Sequence, residues 1–159
     1  LLRQGIDTLE ERRGRGGALQ LDNYLTVALA RSGDITGAIT ATQKIIDVQP
    51  TDQTAMRNLA LLYRDQGNLP EAAKWIDQAI AALPQDSAEL PQLHSTAVDI
   101  YQQLFAQDAQ NYQAAFSLAR YLQLLGNVDA ARQFAQLALQ AAPEGEKTAI
   151  EQFLQSLGG

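Results

Sequence analysis

Cysteine is absent from the 159 residues, and disulfides and thiolate chemistry are absent with it. That absence does not fix the compartment, because a packed domain of this length needs no covalent staples. Histidine occurs once, and His94 has only Leu90 and Val98 at the i±4 positions where a helical metal pair would put its second ligand. It is expected to be a partly exposed structural residue. Serines and carboxylates are scattered without a nucleophile–base spacing, and "GRGG" at 14–17 lacks the Lys-Ser/Thr of a phosphate loop. No catalytic residue, metal ligand or cofactor is therefore expected, and the chain reads as a non-enzyme. No apolar run approaches the roughly 18 residues needed to span a bilayer, so this region is not expected to insert into a membrane.

Positive charge is also scarce. Lys and Arg number 12 against 18 Asp and Glu, for a net charge of −6. Nucleic-acid binding by counterion release needs a basic surface, so that class is disfavoured. The "RRGR" run at 12–15 sits beside Glu10 and Glu11 and reads as a solvated hinge. The sequence starts without Met, inside the helical stretch "LLRQGIDTLEERR". It is expected to be a soluble piece of a longer protein, cytoplasmic or extracytoplasmic.

What the chain does have is alanine, leucine and glutamine. Hydrophobic residues make up 46% and β-branched residues are few, a mixture that favours helix because these side chains lose little freedom there. Tyr24, Tyr63, Trp75, Tyr101, Phe116, Tyr121 and Phe134 mostly fall at helical spacing, as core residues do. The stretch "GNLPEAAKWIDQAIAALP" then shows a register. Gly33 and Gly67 lie 34 residues apart, as do Pro50 and Pro84. Gly precedes Pro by 17 residues in both units and again from Gly126 to Pro143, and Ala38, Ala72 and Ala131 each follow their Gly by five. Glycine suits a helix C-terminus that turns left-handed. The polar starts of "DIT", "NLP" and "NVD" suit the next helix N-terminus. Alanine lets two helices approach, and proline ends the pair.

These residues resemble the tetratricopeptide repeat, a helix–turn–helix of 34 residues with the pattern W-x2-L-G-x2-Y…A-x3-F…P. In residues 53–86, Met56, Leu59, Ala60 and Tyr63 stand at the first four pattern positions, and Ala72, Ile76 and Pro84 at the last three. Ala115, Leu118, Ala119, Leu122, Ala131, Ala135 and Pro143 do the same in the last unit, and Asp22, Leu25, Thr26, Leu29, Ala38, Thr42 and Pro50 in the first. No unit has the pattern's Trp, and the second-helix aromatic is moved forward one residue, to Trp75 and Phe134. The resemblance implies an all-α, right-handed superhelical stack of antiparallel helix pairs. Repeats are expected at about 19–52, 53–86 and 112–143, with an N-terminal helix at 1–13 and a capping helix at 145–157. Pro84 to Pro143 is nine residues short of two periods, and Leu93, Ala97, Ile100 and Leu104 share one helical face. A degenerate unit at 87–111, one long helix beginning near Pro91, is expected there.

The resemblance also implies a concave groove lined by the first helix of each pair. Its residues are Asn23, Tyr24, Val27 and Arg31; then Arg57, Asn58, Leu61, Arg64 and Asp65; then Phe116, Ser117, Arg120 and Gln123. Four are Arg and one is acidic, which points to a peptide or partner protein, an acidic extended peptide above all. Some members of the family grip a chaperone's C-terminal carboxylate with a Lys/Asn/Arg clamp. Asn58 matches one position of it, but Asn23 and Val27 stand where Lys and Asn are needed. Rival readings are an accessory region of a larger, membrane-bound glycosyl transferase or polymerase, and helical-repeat RNA recognition. Exposed apolar end faces suit a homodimer as well as a cap.

Overall fold

The computed structural model describes residues 24–158, and every regular element among them is a helix. The expected helix at 1–13, the "RRGR" run and groove residue Asn23 lie outside the described residues. In chain order the helices are α1 (described over 24–32), α2 (Ile35–Val48), α3 (Gln53–Asp65), α4 (Leu69–Ala81), α5 (Leu90–Gln107), α6 (Tyr112–Leu124), α7 (Val128–Ala141) and α8 (Glu144–Ser156).

The three glycines of the register close three helices in the same way. Gly33, Gly67 and Gly126 have φ of +85°, +85° and +78°. At the second, Gly67 N–H donates to the Arg64 carbonyl and Asn68 N–H to that of Tyr63, the paired bonds of a Schellman turn. The same pair recurs at Gly33–Asp34 and at Gly126–Asn127. Each following residue caps the next helix: Asp34, Asn68 and Asn127 accept from the amides of Gly37, Glu71 and Ala130. One residue thus ends one helix and starts another, which makes a hairpin of the tightest length. Nothing lies within 4 Å of a Cβ built at Gly67, so a substitution there meets backbone strain and no clash. Gly67→Ala is expected to cost about 1–2 kcal/mol and Gly67→Asn less, measured as shifts in the urea midpoint.

Within the hairpins the small residues sit at the closest approaches. Ala38, Ala72 and Ala131 are all completely buried. Ile45, Leu59, Ile76, Ile100, Leu118 and Ile150 fill the space between layers. α8 covers the end of the stack by burying Ile150, and Arg132 of α7 donates to the Leu157 carbonyl at 2.7 Å.

α5 stands outside the hairpin pattern. It is a single helix of 18 residues with Pro91 in its first turn, where a missing amide hydrogen costs nothing. It packs on α4 before it and α6 after it through Leu93, Ala97, Ile100 and Tyr101.

Helices two apart in the chain also touch. Arg64 of α3 reaches Asp99 of α5 at 3.0 Å, and Phe105 of α5 meets Phe134 of α7 edge-on at 5.6 Å between centroids. Asp77 of α4 accepts from Tyr121 of α6 at 2.7 Å, and Phe116 of α6 meets Phe153 of α8 edge-on at 5.4 Å. The helices therefore alternate between an odd row and an even row. Because α5 stands alone, it moves α6, the first helix of its pair by sequence, into the row of α4.

Candidate functional site

This shift of row divides the groove expected from the sequence. Val27 and Arg31 of α1 face Asn58, Leu61 and Asp65 of α3 across a cleft of about 240 Å³, with Thr26, Ala30 and Leu62 completing its walls. Tyr24 is three-quarters exposed at the start of α1. Arg57 and Arg64 lie on the other flank of α3. Arg64 is committed within the fold: it bridges Asp65 at 2.9 Å and Asp99 at 3.0 Å. Arg57 is partly buried, and its Nε has no hydrogen-bond partner.

The α6 members of the expected groove stand elsewhere. Phe116 is packed against Phe153 and the alanines of α7, so it serves the core. Arg120 is exposed, Gln123 is half-buried, and Ser117 lines a separate cleft of about 340 Å³ shared with α4 and α5. Sequence periodicity places residues on the face of a helix, but which helix that face meets depends on how many helices intervene.

That second region contains a cluster the sequence did not reveal. Asp77 of α4 accepts from Tyr101 of α5 at 2.6 Å through Oδ2 and from Tyr121 of α6 at 2.7 Å through Oδ1. The two phenol rings stack with centroids 5.9 Å apart, and His94 lies 5.6 Å beyond Tyr121. Burial, and then the hydrogen bond to the Asp77 carboxylate, push both phenols well above their ordinary pKa of 10.0. One carboxylate thus ties three helices together. His94 corrects an expectation: it is buried, with a relative exposure of 9%, and desolvation lowers its pKa below 6.5.

His94 also floors a third cleft, about 530 Å³, between the C-terminal ends of α4 and α6. Among the described residues no group of three or more His, Cys, Asp or Glu is placed to hold a metal ion. No described helix is long and apolar enough to cross a membrane.

Comparison with known proteins follows the same lines. No curated protein matches the sequence. Among solved structures, the chain is similar to a crystal structure of MamA protein at 17% identity, covering 89% of this chain and 91% of that one with a TM-score of 0.45. It is similar also to MamA 41-end from Desulfovibrio magneticus RS-1, at 13% identity over 88% and 83% with a TM-score of 0.43. The tetratricopeptide repeat family model matches residues 27–87 and 94–146, and the break between the matches falls at the start of the unpaired α5. With more than two thirds of its length matched in this way, the chain belongs to the tetratricopeptide repeat family, whose stacked hairpins serve as scaffolds for protein interaction.

Proposed function

We propose that the cleft between α1 and α3 receives an extended peptide segment of a partner protein, with an apolar side chain between Val27 and Leu61 and a carboxylate toward Arg31. The observation that carries this reading is the cleft itself: five residues assigned to the groove from sequence, two on α1 and three on α3, line one concavity. Arg31 and Asn58 supply donors to a carboxylate or a peptide carbonyl, and Arg offers a planar fork to the former. Asp65 is already held by Arg64, so its charge is partly neutralised by the fold. The acidic preference narrows accordingly from four arginines to Arg31, since Arg64 is occupied and Arg57 and Arg120 lie outside this cleft.

The test uses labelled acidic peptides with one bulky apolar residue, titrated by fluorescence anisotropy. Val27 and Arg31 are both exposed, so Val27→Glu and Arg31→Ala should leave the fold intact. Each is expected to weaken binding about tenfold, while Arg120→Ala leaves it unchanged. Equal affinity in the Val27 and Arg31 variants and the parent would remove the cleft from consideration.

A further inference from the structure

We infer that the cleft between the C-terminal ends of α4 and α6 is a second docking site, which takes a basic amphipathic segment of a partner protein. The site is independent of the α1–α3 cleft, because the two open between helices of different rows. It exists because α5 is unpaired: α4 and α6 run parallel on either side of α5, leaving a channel between them with α5 as its floor.

The hydrogen bond from Tyr121 to Asp77 crosses this channel and separates its two ends. At one end lie Lys74, Asp77, Gln113 and Ser117. The other end, the larger at about 530 Å³, is walled by Ile80, Leu83, Leu90 and Leu124 over His94. That end has no lysine, arginine or carboxylate in its lining, and desolvation pushes the pKa of His94 down. Leu124 stands at the edge with 61% of its surface exposed, and Leu125 and Val128 continue the exposed apolar surface around the α6–α7 turn. Such a concavity receives one or two bulky apolar side chains.

Charge selects what carries them. Gln85 and Leu90 border the cleft, and their chain neighbours Asp86 and Glu89 are exposed. Among the described residues neither carboxylate is paired with a basic side chain. An apolar anchor flanked by Lys or Arg satisfies both the walls and the rim, whereas an acidic segment meets like charge. A second copy of this chain, with its net charge of −6, is disfavoured for the same reason.

A labelled peptide with leucines at helical spacing and lysines elsewhere is the probe, with a counterpart in which glutamate replaces lysine. Binding is followed by anisotropy and by amide shifts in two-dimensional NMR. The lysine peptide is expected to saturate, to shift amides of residues 80–94 and Leu124, and to lose about tenfold in affinity with Leu124→Glu or with Asp86→Lys combined with Glu89→Lys. All three positions are exposed, so the variants keep the fold, and Val27→Glu leaves this binding unchanged. The inference is overturned by non-saturable binding, by shifts confined to other surfaces, or by equal affinity for the glutamate peptide. It is also overturned by a concentration-dependent dimer that Leu124→Glu abolishes without peptide, which would make a second copy the occupant.

Discussion

Ile100→Ala is expected to lower the unfolding free energy by about 4 kcal/mol, in the upper part of the range for deleting a buried isoleucine side chain. Ile100 is completely buried in the middle of α5, in the cluster that joins α4, α5 and α6. Every other described helix before α8 has a hairpin partner closed by a glycine turn. α5 has none, so side-chain packing is what couples the repeats on its two sides. In a solenoid, stability is approximately the sum of unit terms and nearest-neighbour terms. A cavity at Ile100 weakens the neighbour terms on both sides of α5 at once. Urea unfolding followed by circular dichroism should therefore show a lower midpoint and a broader transition, as residues 24–81 and 112–158 begin to unfold separately. A cost below about 1 kcal/mol with an unchanged transition width would mean that the two parts are coupled by something other than this core.

Asp77→Ala is expected to cost about 3 kcal/mol. It removes one carboxylate but leaves the buried Tyr101 and the half-buried Tyr121 phenols without an acceptor, and hydrogen bonds to charged groups are among the more valuable ones. Tyr101→Phe or Tyr121→Phe alone should cost about 1 kcal/mol, because Asp77 keeps one donor and the lost group leaves no orphan. The same cluster gives the protein an alkaline limit. Both phenols titrate above 10.0 when folded, through burial first and Asp77 second, and near 10.0 when unfolded. Above that pH the unfolded chain has released protons that the folded chain still holds, so stability falls as pH rises. Their contribution is intact below about pH 10 and declines beyond it. The urea midpoint measured from pH 8 to 11 should fall less steeply in Tyr121→Phe than in the parent.

The hairpins were legible because their signals are local. Gly33, Gly67 and Gly126 occupy backbone conformations that few other residues tolerate, and the caps, buried alanines and terminating prolines sit at fixed offsets from them. The start of α5 at Leu90, beside Pro91, was legible for the same reason. What could not be read was the consequence of α5 for everything after it. The pattern makes α6 a first helix, and so groups Phe116, Arg120 and Gln123 with the residues of α1 and α3. A groove is made by helices two apart, however, and one unpaired helix exchanges the rows. The Asp77–Tyr101–Tyr121 cluster was hidden likewise. Its members are 24 and 44 residues from Asp77 in the chain, and nothing in a periodic pattern marks two tyrosines for one carboxylate. The pattern leaves Arg64 without a visible partner because Asp99, 35 residues away, belongs to the helix outside the repeat.

The exchange of rows at α5 is tested most directly by a double-mutant cycle between Asp77 and Tyr121, on helices that meet only if α6 stands beside α4. With Asp77→Ala, Tyr121→Phe and the double variant measured by urea denaturation, the predicted coupling is about 1.5–2.5 kcal/mol. Additivity within about 0.5 kcal/mol would place the two side chains out of contact and contradict the arrangement of α4, α5 and α6 on which the cleft between α4 and α6 depends.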